Sequence, residues 1–357
     1  MPLGARAIER SRQERRSTGV ASLLGAEGAS LTCGHCLVAR RKPCDRRSVP
    51  AEGIHLTSMR EAAFAAALSP PARHCLVRFE AAARLGAIAP DLPYFDRYAE
   101  EVVRYAVRRP SRPSPWGAQI HEGGAVALVH VVLEHARRER SELLAALALG
   151  LASHASIDRA VHPLVNALAR RFPEAKTHDA SHREVEKFQS ILFHERYYGR
   201  DYMGTPGIVR LVAVAARELF ETTLAGPALA DGYARATSDV DTNAPLRRMA
   251  RGYELHARVL GSRLGKRVAT PSDKERAAPL FDRGSWGTFD SVLKDAIEHS
   301  VPVLEAAWSV FDASSADVAA ARAVLEAALP AGSIEGQGRD VDLGVLYVVR
   351  PPSLVAA

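Results

Sequence analysis

The sequence predicts an all-α fold, and three observations carry that reading. Apolar residues recur at spacings of three and four from His55 onward, the period of a helix with one buried face. Alternating apolar and polar runs, the mark of half-buried strands, are nearly absent, and only residues 341–349 have the pattern of a short strand. Clusters of Pro, Gly and Ser cut the helical pattern into roughly ten segments. With 357 residues, 47% of them hydrophobic, the chain can bury one large core or two modest ones.

In chain order, residues 1–48 show no sustained apolar period and read as a disordered basic tail. The fragment Cys33-Gly34-His35-Cys36 with Cys44 lacks a fourth well-spaced ligand, so it reads as unstructured rather than as a zinc knuckle. Ordered-looking sequence begins at Val49, which is a candidate for the true start of the protein. Residues 49–357 form the expected helical domain. Its helical stretches are 59–68, 74–85, 94–107, 125–136, 141–170, 182–198, 207–223, 244–264, 289–311 and 316–329. Ser69-Pro70-Pro71, residues 110–113 and residues 265–282 read as breaks between them.

Charge and cysteine usage narrow the function classes. The formal charge of +6 equals the balance of the tail alone, which holds ten Arg/Lys against four Asp/Glu. The remaining domain is therefore neutral and offers no footprint for a polyanion such as nucleic acid. Four cysteines are too few for a disulfide scaffold. No apolar run approaches the roughly 20 residues of a membrane span, and the first residues lack a signal-peptide pattern. These features give the expectation of a cytoplasmic protein without a transmembrane segment.

The informative chemistry lies in His154-Ala155-Ser156-Ile157-Asp158-Arg159-Ala160-Val161-His162-Pro163. Residues four apart stack on one helix face, so His154, Asp158 and His162 project as a single stripe. Leu149, Leu151 and Ala152 beside it point the stripe inward, where imidazoles and a carboxylate need a partner such as a metal ion. His182 and Glu186 make a second pair four apart, with Phe188, Ile191 and Leu192 marking the buried side. His178, one turn earlier, sits in helix-capping sequence and is the weaker candidate. Asp91 lies in an apolar, proline-bracketed loop, Gly86-Ala87-Ile88-Ala89-Pro90-Asp91-Leu92-Pro93-Tyr94-Phe95, and His121 precedes another helix. His194-Glu195 reads as a surface or rim pair, and Ser153 and Glu122 as groups placed to orient the imidazoles.

Five motifs in order carry a family resemblance: an early His55, the G-x-x-x-P-D-x-x-Y loop, the lone His121, the H-x3-D-x3-H-P helix and the H-x3-E helix. Together they resemble the zinc-dependent phospholipase C family, which includes bacterial phospholipases C, the clostridial alpha-toxin catalytic domain and the amino-terminal domain of glycosylphosphatidylinositol-specific phospholipase D. The resemblance spans about residues 53–200. It implies a multi-helical phospholipase C/P1 nuclease-like bundle around a metal cluster of two or three zinc ions. His162, His182 and Glu186 would hold one ion, and Asp91, His121 and His154 a second, with Asp158 bridging. His55 would help hold a third, to which secreted members add an amino-terminal Trp that has no counterpart here.

The activity so implied is hydrolysis of a phosphodiester, phospholipid or small phosphate ester, by zinc-activated water attacking phosphorus, with Asp91 as general base. The oligomeric state is left open. An S1/P1-type nuclease and a non-catalytic, zinc-stabilised helical domain are the competing readings. Closed four-ligand sites mark structural zinc, whereas eight ligands shared among two or three ions leave open positions.

Overall fold

A computed structural model describes residues 52–107, 109, 114–169, 178–210, 224–237, 243–267, 269–281 and 289–334. The tail with its cysteines, the strand expected at 341–349 and most of the helix expected at 207–223 lie outside the described residues. Among those described, the chain is helical and contains no strand. We number the α-helices α1 (Glu52–Ala63), α2 (Pro70–Arg78), α3 (Glu80–Ile88), α4 (Tyr98–Ala106), α5 (Pro115–Gln119), α6 (Ala125–Glu139) and α7 (Glu142–Ala169). There follow α8 (His178–Tyr198), α9 (Ala225–Thr237), α10 (Asn243–Gly261), α11 (Pro271–Phe281), α12 (Phe289–Asp312) and α13 (Val318–Ala328).

Helix α7 is the axis of the bundle. Its residues from Leu144 to Asp158 are all buried, which a surface helix with one apolar stripe never shows. Ser141 starts it by accepting the Leu144 N–H at 3.3 Å. Helices α1, α3, α6, α8 and α12 pack around it. The α3–α7 crossing is backbone to backbone. A Cβ on Gly150 would lie 2.0 Å from the Ala83 carbonyl oxygen, and one on Gly86 would lie 2.1 Å from that of Leu147. Two glycines thus remove the side chains that would hold the helices apart.

The apolar core has two parts, and α7 passes from one to the other at its ligand-bearing turns. Residues up to Ala155 join the larger core with α2, α3, α6 and α9, whereas Ile157, Val161 and Val165 join a smaller one with Val185, Phe289 and Leu293.

Three local differences from the sequence reading have physical causes. Residues 265–282 are not simply a break but contain α11. Thr270 and Asp273 cap it reciprocally, with Thr270 N–H donating to Asp273 Oδ2 at 3.1 Å and Asp273 N–H to Thr270 Oγ1 at 3.2 Å. Helix α9 is concealed in the sequence by Gly226-Pro227 and Gly232. Pro227 falls in the first turn, where no intrahelical N–H is needed. A Cβ on Gly232 would meet Leu128 of α6 at 2.2 Å, so that glycine serves close packing. Finally, the stretch 74–85 is split at Phe79, whose φ of −113° and ψ of 42° separate α2 from α3.

No helix among the described residues is long and apolar enough to cross a membrane.

Candidate metal centre

The eight sequence-selected residues are delivered by five parts of this scaffold. His154, Asp158 and His162 follow one another along buried turns of α7. His182 and Glu186 occupy consecutive turns of α8. His55 comes from α1. Asp91 sits in a 3₁₀ helix, Ala89–Phe95, rather than the irregular loop expected from its prolines. Helix α10 backs that turn closely: a Cβ on Gly252 would lie 2.1 Å from the Phe95 carbonyl oxygen. His121 lies in a π-helical turn, Ile120–Gly124, between α5 and α6. Its carbonyl accepts from Ile334 N–H at 2.9 Å and from Ser333 Oγ at 3.2 Å, so the segment after α13 holds the turn in place.

All eight side chains converge. Asp158 is the hub: its Oδ1 is 3.1 Å from His55 Nε2 and 3.7 Å from His162 Nε2. Its Oδ2 is 3.0 Å from His154 Nε2 and 3.7 Å from His121 Nε2. Asp91 Oδ1 lies 3.2 Å from His121 Nε2. Glu186 Oε1 lies 3.1 Å from His162 Nε2 and 3.2 Å from His182 Nε2. Three sets able to hold a cation result: His55, His154 and Asp158; Asp91, His121 and His154; and His162, His182 and Glu186. The first two share His154, and their members are all buried.

The hydrogen bonds around these imidazoles fit a metal. His154 Nδ1 donates to Ala87 O at 2.8 Å, His121 Nδ1 to Gly117 O at 2.8 Å, and His182 Nδ1 to Asn166 Oδ1 at 2.9 Å. A neutral imidazole that donates through Nδ1 has only a lone pair at Nε2. Three such lone pairs therefore face carboxylate oxygens at 3.0, 3.2 and 3.2 Å, acceptor against acceptor. That juxtaposition needs a cation. Two ligand atoms on one tetrahedral zinc stand about 3.3 Å apart, given bonds of about 2.0–2.1 Å, so the spacing suits a shared ion. Consistently, His154 Nε2 is fully buried and makes no hydrogen bond despite its proximity to Asp158.

With no ion, protons take the cation's part. Burial disfavours the charged imidazole of His121, but Asp91 and then Asp158 outweigh it and raise its pKa to about 9. His55 is likewise pulled down by burial and raised more strongly by Asp158. Burial pushes the Asp91 and Asp158 carboxyls up, yet His154 and the other imidazoles hold both below the ordinary carboxylate range. Glu186 is also depressed, His182 and His162 overcoming its burial. The site thus keeps three carboxylates ionised in a buried place.

Several orienting groups escaped the sequence reading. The carbonyls of Ala87 and Gly117 carry no sequence signal at all. Asn166 does carry one, since it continues the 154–158–162 stripe by four further residues. Glu122 is exposed, and the buried Ser153 hydroxyl makes no hydrogen bond, so neither orients a ligand. His178's side chain lies outside the described residues. His194 is not a rim residue: it is completely buried, stacked on Tyr202 at 4.2 Å between ring centroids.

Residues 54–223 match the family model for zinc-dependent phospholipase C. That stretch belongs to the zinc-dependent phospholipase C family. The matched residues contain all eight converging side chains, while α9 to α13 of the bundle lie beyond them. Neither curated proteins nor solved structures gave a match. The phospholipase C-type stretch therefore carries imidazoles and carboxylates grouped as zinc ligands would be.

Proposed function

We propose that this chain is a zinc-dependent phosphodiester hydrolase of the phospholipase C type. The observation that carries the reading is the set of buried Nε2 lone pairs facing carboxylates across distances that suit a shared ion. His162, His182 and Glu186 would hold one ion, and Asp91, His121 and His154 a second. Asp158 would bridge, and His55 would complete a third position with it. Bound zinc supplies Lewis acidity, lowering the pKa of a coordinated water and offsetting charge that builds on phosphoryl oxygens.

The chain's own groups do the rest. Asp91 is kept ionised by the imidazoles around it and is the group placed to accept a proton from the attacking water. Ala87 O, Gly117 O and Asn166 fix three imidazoles in the tautomer and orientation that ligation needs. Beside His55, Asp158, His162 and Glu186, the cleft is walled by Ile54, Ile157, Val161 and Phe289.

The test uses the full chain. Zinc per chain is measured, followed by hydrolysis of a chromogenic choline phosphodiester and of single-stranded DNA, each with and without chelator. Chelator-sensitive cleavage of the choline ester, with two or more zinc ions, supports the proposal. Cleavage of DNA alone makes the protein a nuclease of the S1/P1 kind, and zinc without any hydrolysis makes the ions structural. Asp91→Asn should lower turnover far more than it lowers zinc content.

A further inference from the structure

A second polar cavity lies away from the metal centre, where the carboxy-terminal end of α8 meets α3 and the helical residues 206–210. It encloses about 220 Å³ and is lined by Arg84, Arg200 and Arg210, with His194, Tyr202 and Thr205 among its other walls. His194 sits about 12 Å along α8 from Glu186, at 1.5 Å per residue, so the cavity is distinct from the zinc cleft.

We propose that this cavity binds a phosphate group. Three arginines from three separate segments line it, against one lining carboxylate, Asp201. Among the described residues neither Arg200 nor Arg210 has a salt bridge. Arg84 Nη1 lies 3.7 Å from the exposed Glu80, and its Nη2 donates to the Arg210 backbone carbonyl at 3.4 Å. The Arg200 guanidinium lies 5.8 Å from the Tyr198 ring centroid, which holds it over the aromatic wall. His194 adds no charge: burial lowers its pKa to about 4, its Nδ1 donates to Ser190 O at 2.6 Å, and Nε2 approaches Thr57 Oγ1 at 3.4 Å.

Gly207 also lines the cavity. A Cβ there would project between Thr205 Oγ1 at 3.5 Å and Arg200 Nη2 at 3.8 Å. Arg200 and Arg210 are the two positive charges that an anion in this cavity would neutralise. Planar, multiply donating guanidiniums match the oxygens of a phosphate group better than those of a monovalent ion. The inference is independent of what the zinc centre hydrolyses.

The test is calorimetric titration of zinc-loaded full chain with inorganic phosphate, and a flotation assay with vesicles of phosphatidylcholine containing or lacking phosphatidic acid. The same measurements are made on Arg200→Gln, Arg210→Gln, Gly207→Val and Glu186→Gln. The proposal expects binding that falls about tenfold or more in each arginine variant, falls in Gly207→Val, and persists in Glu186→Gln. Zinc content unchanged in the arginine and glycine variants shows that they fold. Response to inorganic phosphate identifies a soluble ligand, and arginine-dependent flotation with phosphatidic acid alone identifies a lipid headgroup. Binding to neither probe, binding indifferent to the arginine changes, or binding abolished by Glu186→Gln alone overturns it.

Discussion

Substituting Gly150 by alanine should dismantle the metal centre without touching a ligand. The added Cβ would sit 2.0 Å from the Ala83 carbonyl oxygen, whereas ordinary contact begins at 3.4 Å. Helices α3 and α7 must then separate by the difference, about 1.4 Å, or absorb the clash as strain of about 1–3 kcal/mol. Alanine's helix propensity returns about 1 kcal/mol of that, leaving a fall of only a few degrees in melting temperature. The site suffers more. His154 on α7 is oriented by Ala87 O at the end of α3, and Asp91 follows directly from that helix. A shift above 1 Å between them breaks the 2.8 Å bond and moves Asp91 from His154, an effect comparable to losing an orienting group. The expected loss is about 10–100-fold in zinc affinity and about 10²-fold in turnover. Competition with a chromogenic chelator measures the first, and hydrolysis of the choline ester the second. A Gly150→Ala protein with unchanged zinc affinity and melting temperature would show that the crossing is not what sets the site.

Other outcomes follow from the same geometry. Asn166→Ala should weaken the His162–His182–Glu186 zinc position about 10–100-fold while leaving the fold intact, as read by zinc titration and thermal unfolding. Asp158→Asn should lose more than one zinc per chain, because both of its oxygens serve different imidazoles; loss of a single ion would disprove the shared role. Stability should fall as pH drops from about 6.5, because burial lowers the pKa of His256 to about 3 and that of His194 to about 4. Between those values and 6.5 the unfolded chain takes up protons that the folded chain refuses, so each group costs about 1.4 kcal/mol per pH unit. His256→Phe, fitting between Phe95 and Tyr98, should flatten that slope in denaturant titrations at several pH values. In zinc-free protein His121 has the opposite sign. Its pKa, raised to about 9, stabilises the fold below pH 6.5 and loses that contribution as pH rises through 9, whereas zinc affinity should rise over the same range.

The sequence was most legible where chemistry repeats at the helical period. The stripe through His154, Asp158 and His162, and the His182–Glu186 pair, declare their shared face by spacing alone, and the structure brings them together. Asp91 and His121 have no such repeat: the apolar, proline-bracketed segment marked the first and its place before a helix the second, whereas His55 entered only with the family resemblance. Backbone orienting groups such as Ala87 O depend on a glycine crossing that no side-chain pattern reveals. Helix α9 was hidden because Gly226, Pro227 and Gly232 break helices in general, yet here occupy a first turn and a close contact. His194 was misjudged because it falls three turns beyond His182, while the walls that cover it come from Tyr202, after the helix has ended, and from Gly53, remote in sequence.

One carboxylate standing among four imidazoles has a further consequence for how the centre loads. Each oxygen of Asp158 faces a different pair of rings, so an ion captured on one side fixes the side chain for its neighbour. Were two ions to share it, filling would be concerted, and so would emptying: a chelator that stripped one position would free the aspartate to reorient and loosen the next. Metal-depleted and metal-replete molecules would then dominate a mixture, with few half-filled ones between them.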